Sequence, residues 1–352
     1  NEIVVARDPV GVKPLYLGED GKFVAFASER KALWKIGVKQ VQPLLPGYVA
    51  LLTKKALLVS PALALVNPQI EQLDFETAAV RLKEALYEAF EVCIKDIRSL
   101  GIAFSGGLDS SLVAKIVSDL DGKIALYTAG LEGSPDVNVA REVGSNLGCE
   151  LHTRILTARD VETYIPKVIY AIEEADVMKV ATGLPLYAVA ELAHSDGIKV
   201  MLSGQGSDEL FGGYARYLNV LRRGGYQRLH EELWNDLATI YKVNLQRDDA
   251  VAMANSVDPR SPYLDVNVIK TAMGIPPSFK IGGPEDILKK RILRRVARMI
   301  GLPANIVDRP KKAIQYGSGV DKVVRTLAKK SGKSVENYLK DIYTETFKDI
   351  SQ

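Results

Sequence analysis

Residues 105–111 read SGGLDSS, directly after the apolar run 101–104 and directly before apolar positions at helical spacing. A strand that ends in a glycine-rich turn and feeds a helix is a phosphate trap. Its glycines admit an anion close to the backbone, and the unpaired N–H groups of the first helical turn point at it. Asp109 inside that turn would repel a bare phosphate. Its natural task is to hold a divalent cation that bridges to phosphate oxygens. A purely structural turn would account for the glycines Gly106 and Gly107. It would not account for three hydroxyls, Ser105, Ser110 and Ser111, around a carboxylate. No Gly-Lys-Ser/Thr follows, which separates this turn from the Walker A loop.

A second segment, LSGQGSDELFGGY over 202–214, follows another apolar run at 199–202. Ligands of open α/β sheets collect outside the carboxyl ends of the strands. Two glycine-rich acidic loops at such ends would face one crevice, where Asp109 and Asp208 could share a Mg²⁺. Taken alone, Asp208 reads as a helix cap; beside the first loop it reads as a ligand.

The elements that must position these loops are visible as periodicity. Helical spacing at Leu82, Ala85, Leu86, Ala89, Val92, Cys93 and Ile97 predicts a helix, with Asp74 as its N-cap. A strand at 101–104, a helix near 109–120, a strand at 124–129, a helix near 136–147 and a strand near 151–155 follow. Helices at 162–173 and 184–195 and a strand at 199–202 continue the alternation, and from about 215 onward the pattern is helical. Strands alternating with helices predict a parallel sheet covered on both faces. Upstream, short apolar runs at 3–6, 15–17, 23–27 and 48–52 between Gly, Pro and Asp turns predict a β-rich region over 1–60. Residues 61–72, with Pro61 and Pro68 and few large side chains, read as a linker.

Composition narrows the class. The chain has 352 residues, 47% hydrophobic and 25% charged, with a formal net charge of +3. That is an ordinary globular balance, with no case for nucleic acid or a membrane surface, although 289–298 is locally basic. Two cysteines, Cys93 and Cys149, fit a reducing cytoplasm and not a disulfide scaffold. His152, His194 and His230 show no metal-site spacing. No signal-peptide pattern opens the sequence, and the chain reads as a fragment that begins mid-domain.

The first loop resembles the pyrophosphatase loop of the N-type ATP pyrophosphatases, which cleave ATP to AMP and pyrophosphate on a doubly wound sheet. With the second loop added, nearly the whole chain resembles the glutamine-dependent asparagine synthetases. Further matching segments are RDPVGVKPLY at 7–16, FASE at 26–29, Pro46-Gly47, GSPD at 133–136, MANSVDPRSPYLD at 253–265 and RPKK at 309–312. The resemblance implies an α/β fold with a doubly wound, mainly parallel sheet and a helical C-terminal part. It also implies a preceding partial α+β amidotransferase domain of the N-terminal-nucleophile type, rich in strand. The expected division is 1–60 for the end of a glutaminase domain, 61–72 for the linker and 73–352 for the synthetase.

The same resemblance distributes roles. Ser105, Gly106, Gly107, Asp109, Ser110 and Ser111 would hold the pyrophosphate end of ATP. Phe104, Ala129, Ser203 and Gly204 would frame adenosine, and Asp109 and Asp208 would bind Mg²⁺. Lys311 would stabilise charge on the α-phosphate and the departing pyrophosphate, whereas without the family it would read as a solvated lysine. Tyr214 and Arg260 are substrate-pocket candidates, although Arg260 beside Asp258 and Asp265 reads first as a structural ion-pair cluster. Aspartate, ATP, and ammonia or glutamine would be the partners, with a homodimer as a candidate assembly. ATP and Mg²⁺ are the expected cofactors.

Two departures from the family pattern bear on nitrogen chemistry. The family's glutaminase uses an N-terminal cysteine, and no cysteine precedes Cys93, so the chain as written is expected to lack glutaminase activity. Gln205 stands where the family often has a glutamate that takes a proton from ammonia. A neutral amide cannot be that base, which makes Glu209 a substitute candidate. Two other functions fit the same residues: a ligase of this scaffold acting on another carboxylate, as in β-lactam synthetase-like enzymes, or a nucleotide-binding regulator without catalysis.

Overall fold

The computed structural model describes residues 2–21, 23–53, 57–95, 97, 99–310 and 317–350. The predicted β-rich region forms two antiparallel three-stranded sheets. Strands β1 (Ile3–Ala6), β5 (Tyr48–Leu52) and β6 (Leu57–Pro61) make one, in the order β1-β5-β6. Strands β2 (Tyr16–Glu19), β3 (Val24–Ala27) and β4 (Gln40–Pro43) make the other, in the order β3-β2-β4. Val5, Leu17, Leu44, Ala50 and Leu52 form a small core between them. Ile3, Val4, Leu58 and Val59 are exposed on the first sheet. The expected linker begins inside β6: Pro61 still pairs with Tyr48, and regular structure resumes at a helix over Phe75–Ile94.

That helix starts where Asp74 was expected to cap it, with the carboxylate accepting from the Thr77 N–H at 2.9 Å. The chain then enters a five-stranded sheet built from β7 (Leu100–Ala103), β8 (Ile124–Leu131), β9 (Leu151–Leu156), β10 (Val200–Leu202) and β11 (Asp258–Arg260). Its order is β11-β10-β7-β8-β9, and every pairing is parallel. The central strands carry apolar residues on both faces and do not alternate, as a doubly covered sheet requires. One core, with Leu86, Phe90, Ile102, Leu112, Ile116 and Leu293, fills one face. A second, with Tyr127, Val161, Ile165, Leu184 and Val257, fills the other.

The strand order dictates where a ligand can sit. The chain runs outward through β7, β8 and β9, then returns to the opposite side of β7 to lay down β10 and β11. Segments leaving the carboxyl ends of β7 and β10 therefore diverge and open a crevice at this switch point. Those are the 105–111 and 203–214 loops. Among the described residues no helix is long and apolar enough to cross a membrane.

Candidate active site

The first loop meets the geometric demands set by its sequence. Gly106 has φ +69°, and a Cβ there would lie 2.8 Å from Val139 Cγ1 and its carbonyl oxygen, so only glycine fits. Gly107 precedes the helix Leu108–Asp119, whose first turn holds Asp109. The Ser105 and Ser110 hydroxyls make only long contacts within the loop, with Ser110 Oγ 3.3 Å from the Gly107 carbonyl and 3.4 Å from Ser105 Oγ. Ser105, Gly107 and Asp109 line a cleft of about 320 Å³ with Pro135, Asp136, Gly213, Lys290, Arg294 and Arg309. Ser111 is fully buried behind the loop; its hydroxyl has no hydrogen-bond partner among the described residues and does not line the cleft. Phe104, Ala129, Ser203 and Gly204 occupy the adjacent ends of β7, β8 and β10. Gly204 packs so closely on Asp109 that a Cβ would sit 2.9 Å from the aspartate's own.

Asp109 and Asp208 are brought together as expected, but a side chain that motif reading passed over stands between them. Lys290 Nζ lies 2.7 Å from both Asp109 carboxylate oxygens, 2.6 Å from Asp208 Oδ1 and 2.9 Å from Ser207 Oγ. The Ser207 hydroxyl also donates to Asp109 Oδ1 at 2.8 Å. Burial pushes the ammonium of Lys290 below its ordinary value, with Asp109 opposing. Gly213 is required here for a steric reason: a Cβ would collide with Asp208 Oδ1 and Lys290 Cε.

Lys290 is held from behind by Arg294, whose side chain is buried. Its guanidinium donates to the carbonyls of Leu288 at 2.6 Å, Lys289 at 2.8 Å and Arg309 at 3.2 Å, and also to that of Val307. One side chain thus staples the Lys290 segment to the 307–309 segment across the cleft wall. The sequence carried a signal for this. Positions 290, 293, 294 and 297 form an i, i+3, i+4, i+7 stripe, and all four are buried. The locally basic stretch therefore directs part of its charge inward and is not a solvated face.

Two candidates, Glu209 and Tyr214, are placed differently from their expectation, and Arg260 takes the first of its two. Glu209 is 3% exposed; its Oε1 accepts from Tyr214 Oη at 2.6 Å and Asn244 Nδ2 at 3.1 Å. Burial raises its carboxyl above the ordinary value. Glu209 and Tyr214 thus face each other as an internal brace, and neither lines the cleft. Arg260 donates to Asp258 Oδ2 at 2.9 Å and to the Cys93 carbonyl at 2.7 Å, the ion-pair role that was its first reading. Asp258 also meets Lys13 of the N-terminal RDPVGVKPLY segment at 2.6 Å. Gln205 sits half-buried beside the loop, its N–H donating to Ser203 Oγ at 3.4 Å. Lys311 lies outside the described residues; Arg309 and Pro310, which precede it, line the cleft.

Comparison with known proteins agrees with this geometry. Residues 81–228 and 221–348 match the asparagine synthase family model, and residues 1–35 match a glutamine amidotransferase domain model. A putative asparagine synthetase (glutamine-hydrolyzing) 1 of Methanocaldococcus jannaschii is 37% identical, over 95% of this chain and 70% of its own length. Asparagine synthetase (glutamine-hydrolyzing) 1 of Lotus japonicus is 32% identical, over 91% of this chain and 56% of its own. A third relative, asparagine synthetase (glutamine-hydrolyzing) 2 of Arabidopsis thaliana, is 31% identical over 90% and 56%. The chain thus spans a little over half the length of these plant relatives. With two acidic loops meeting at the switch point of a doubly wound sheet, and with these matches, the chain belongs to the asparagine synthase family.

Proposed function

We propose that this chain carries the synthetase reaction: the side-chain carboxylate of aspartate attacks the α-phosphorus of ATP, giving β-aspartyl-AMP and pyrophosphate, and ammonia then displaces AMP to give asparagine. The observation that carries this reading is the pairing of Asp109 and Asp208 around the buried ammonium of Lys290, with Asp109 and Lys290 lining the cleft of about 320 Å³. Among the described residues no group of three or more acidic, His or Cys side chains could hold a metal. Two carboxylates fit Mg²⁺, which typically takes one or two from the protein and the rest of its shell from substrate phosphates and water. A bound Mg²⁺ would neutralise charge on the phosphate oxygens.

The chain's own residues do the rest. The Gly107 turn and the Ser105 and Ser110 hydroxyls receive the pyrophosphate end, with the helix N-terminus behind them. Lys290 and Arg309, which line the cleft, meet the charge that develops as the α–β bridge breaks, a role the family resemblance also gives Lys311, and groups already in place lower that barrier without reorganisation. Nitrogen arrives as ammonia, released from glutamine by an amidotransferase part whose final strands are residues 1–60, joined through 61–72 to the synthetase at 73–352.

The test is aspartate-dependent exchange of labelled pyrophosphate into ATP by the full chain. Exchange that needs both Mg²⁺ and aspartate supports the reading. Release of ADP and phosphate, or exchange driven only by another carboxylic acid, overturns it. A companion prediction concerns Gln205. If the site lacks a base for ammonia, Gln205→Glu raises ammonia-dependent asparagine formation about tenfold, short of the ~10²–10⁴ of a tuned base, and leaves the exchange rate unchanged. An unaltered amide-forming rate means the proton leaves by another route.

A further inference from the structure

The ammonium of Lys290 fills the space between the two carboxylates assigned to a divalent cation. Nζ is within 2.7 Å of Asp109 and 2.6 Å of Asp208, and the side chain is 3% exposed. Nothing about the position is casual. Lys289 and Lys290 both hold positive φ, +52° and +51°, a conformation that residues with a Cβ rarely adopt. Arg294 maintains it by taking the carbonyls of Leu288 and Lys289. The backbone is bent to deliver one cation to one point.

Charge counting then constrains the order of events. Two carboxylates and one ammonium leave the cluster at a formal charge of −1. A divalent cation arriving alone must enter against the ammonium, or drive it off. The ammonium is enclosed by protein and held by Asp109, Asp208 and Ser207; in the cleft beside it Arg294 and Arg309 oppose its entry, and among the described residues Asp136 is the one further acid in the lining. Charges of like sign a few ångströms apart repel strongly where protein shields one of them from solvent, as it does Lys290. A polyphosphate in the cleft changes both sides of this balance. It offers Lys290 new anionic partners and frees the carboxylates.

We propose that Lys290 is a tethered counter-ion: it holds Asp109 and Asp208 together in the metal-free protein and yields them to a divalent cation only when nucleotide phosphates take the ammonium over. The cation and ATP then enter as one unit, and the empty enzyme keeps its two acids from repelling each other. This rests on the reading of the cleft as an ATP site.

The experiment titrates the full chain with Mn²⁺, reading free Mn²⁺ by electron paramagnetic resonance, with and without a non-hydrolysable ATP analogue. The wild type is expected to bind Mn²⁺ weakly alone and at least about tenfold more tightly with the analogue, a gap of one decade in Kd. Lys290→Gln, which keeps a donor and removes the charge, is expected to bind Mn²⁺ alone at least about tenfold more tightly than the wild type. Its melting temperature should rise with Mn²⁺ where that of the wild type barely moves. Lys290→Arg keeps the charge and should resemble the wild type. Adding Asp208→Asn to Lys290→Gln should abolish the gain, which locates it.

Wild-type binding without nucleotide as tight as that of Lys290→Gln overturns the proposal, as does a gain that survives Asp208→Asn. If Lys290→Gln proves unstable, Mn²⁺ bound tightly by Lys290→Arg without nucleotide overturns it equally. An analogue that does not bind, with the Lys290→Gln gain intact, supports the counter-ion and refutes the ATP reading. An analogue that binds, with no gain in Lys290→Gln, does the reverse.

Discussion

An Asp109→Asn variant is expected to exchange pyrophosphate with ATP about a thousandfold more slowly than the wild type, the upper range for removing one preorganised electrostatic group, and to fold normally. The substitution is nearly isosteric. Asparagine keeps the side chain that packs on Gly204, and its oxygen can still accept from Lys290 Nζ and Ser207 Oγ. Lys290 retains its ion pair with Asp208. The stability loss should therefore stay near the ~1.5–3 kcal/mol of one charge-assisted hydrogen bond. What disappears is one of the two carboxylates proposed to hold the divalent cation and the charge that orders Lys290. Thermal unfolding and the exchange assay on the same preparation separate these effects. Exchange within tenfold of the wild type, in a folded variant, would remove Asp109 from the phosphate chemistry. Asp208→Asn should fall as far, because the proposed site gives both carboxylates the same cation.

The loops that carry this prediction were legible because their information is local. A glycine that must take positive φ, a serine beside it and an acid in the first helical turn can be read without knowing the partners. The same holds for the parallel sheet, whose apolar strands and intervening helices announce themselves by period. Short elements with few apolar side chains were not legible. Strand β4 (Gln40–Pro43) has one apolar side chain apart from its proline and exists through its backbone pairing with β2. Strand β11 spends two of its three residues on a charge pair, Asp258 with Arg260, and is fixed by its place beside β10.

The site itself divides in the same way. Asp109 and Asp208 were found as members of motifs. Lys290 and Arg294 were hidden in a run rich in Lys and Arg, because charge predicts solvent unless a partner is known. Here the partners lie 181 and 82 positions upstream of Lys290, counting from Asp109 and Asp208. Glu209 shows the opposite error. Sequence proximity to Gln205 made it a candidate base, but one helical turn swings it onto Tyr214 and Asn244, where its oxygen is already committed.

Lys280 leads to the second large effect, on stability. It closes the short helix Pro277–Lys280 and is fully buried, and among the described residues its ammonium meets the Met273 sulfur at 3.7 Å. Burial alone pushes its ammonium down to about 7. The imidazole of His230, whose Nδ1 is buried without a hydrogen-bond partner among the described residues, is also pushed down, first by burial and then by Lys280. In the unfolded chain the lysine titrates near 10.4. The folded state thus refuses a proton that the unfolded chain accepts between about pH 7 and 10.4, and stability must rise with pH across that window. Below about pH 7 both states carry the proton and the penalty is constant; above about 10.4 neither does and it vanishes. Lys280→Met removes the penalty and fills the same space. It should stabilise the chain by about 4 kcal/mol at pH 7 and by only about 1.5 kcal/mol near pH 9.5. Urea denaturation of wild type and variant at those two pH values measures both numbers. A variant less stable than the wild type at pH 7, or a gain equal at the two pH values, would mean that Lys280 stays charged in the folded chain and that its cost is met elsewhere.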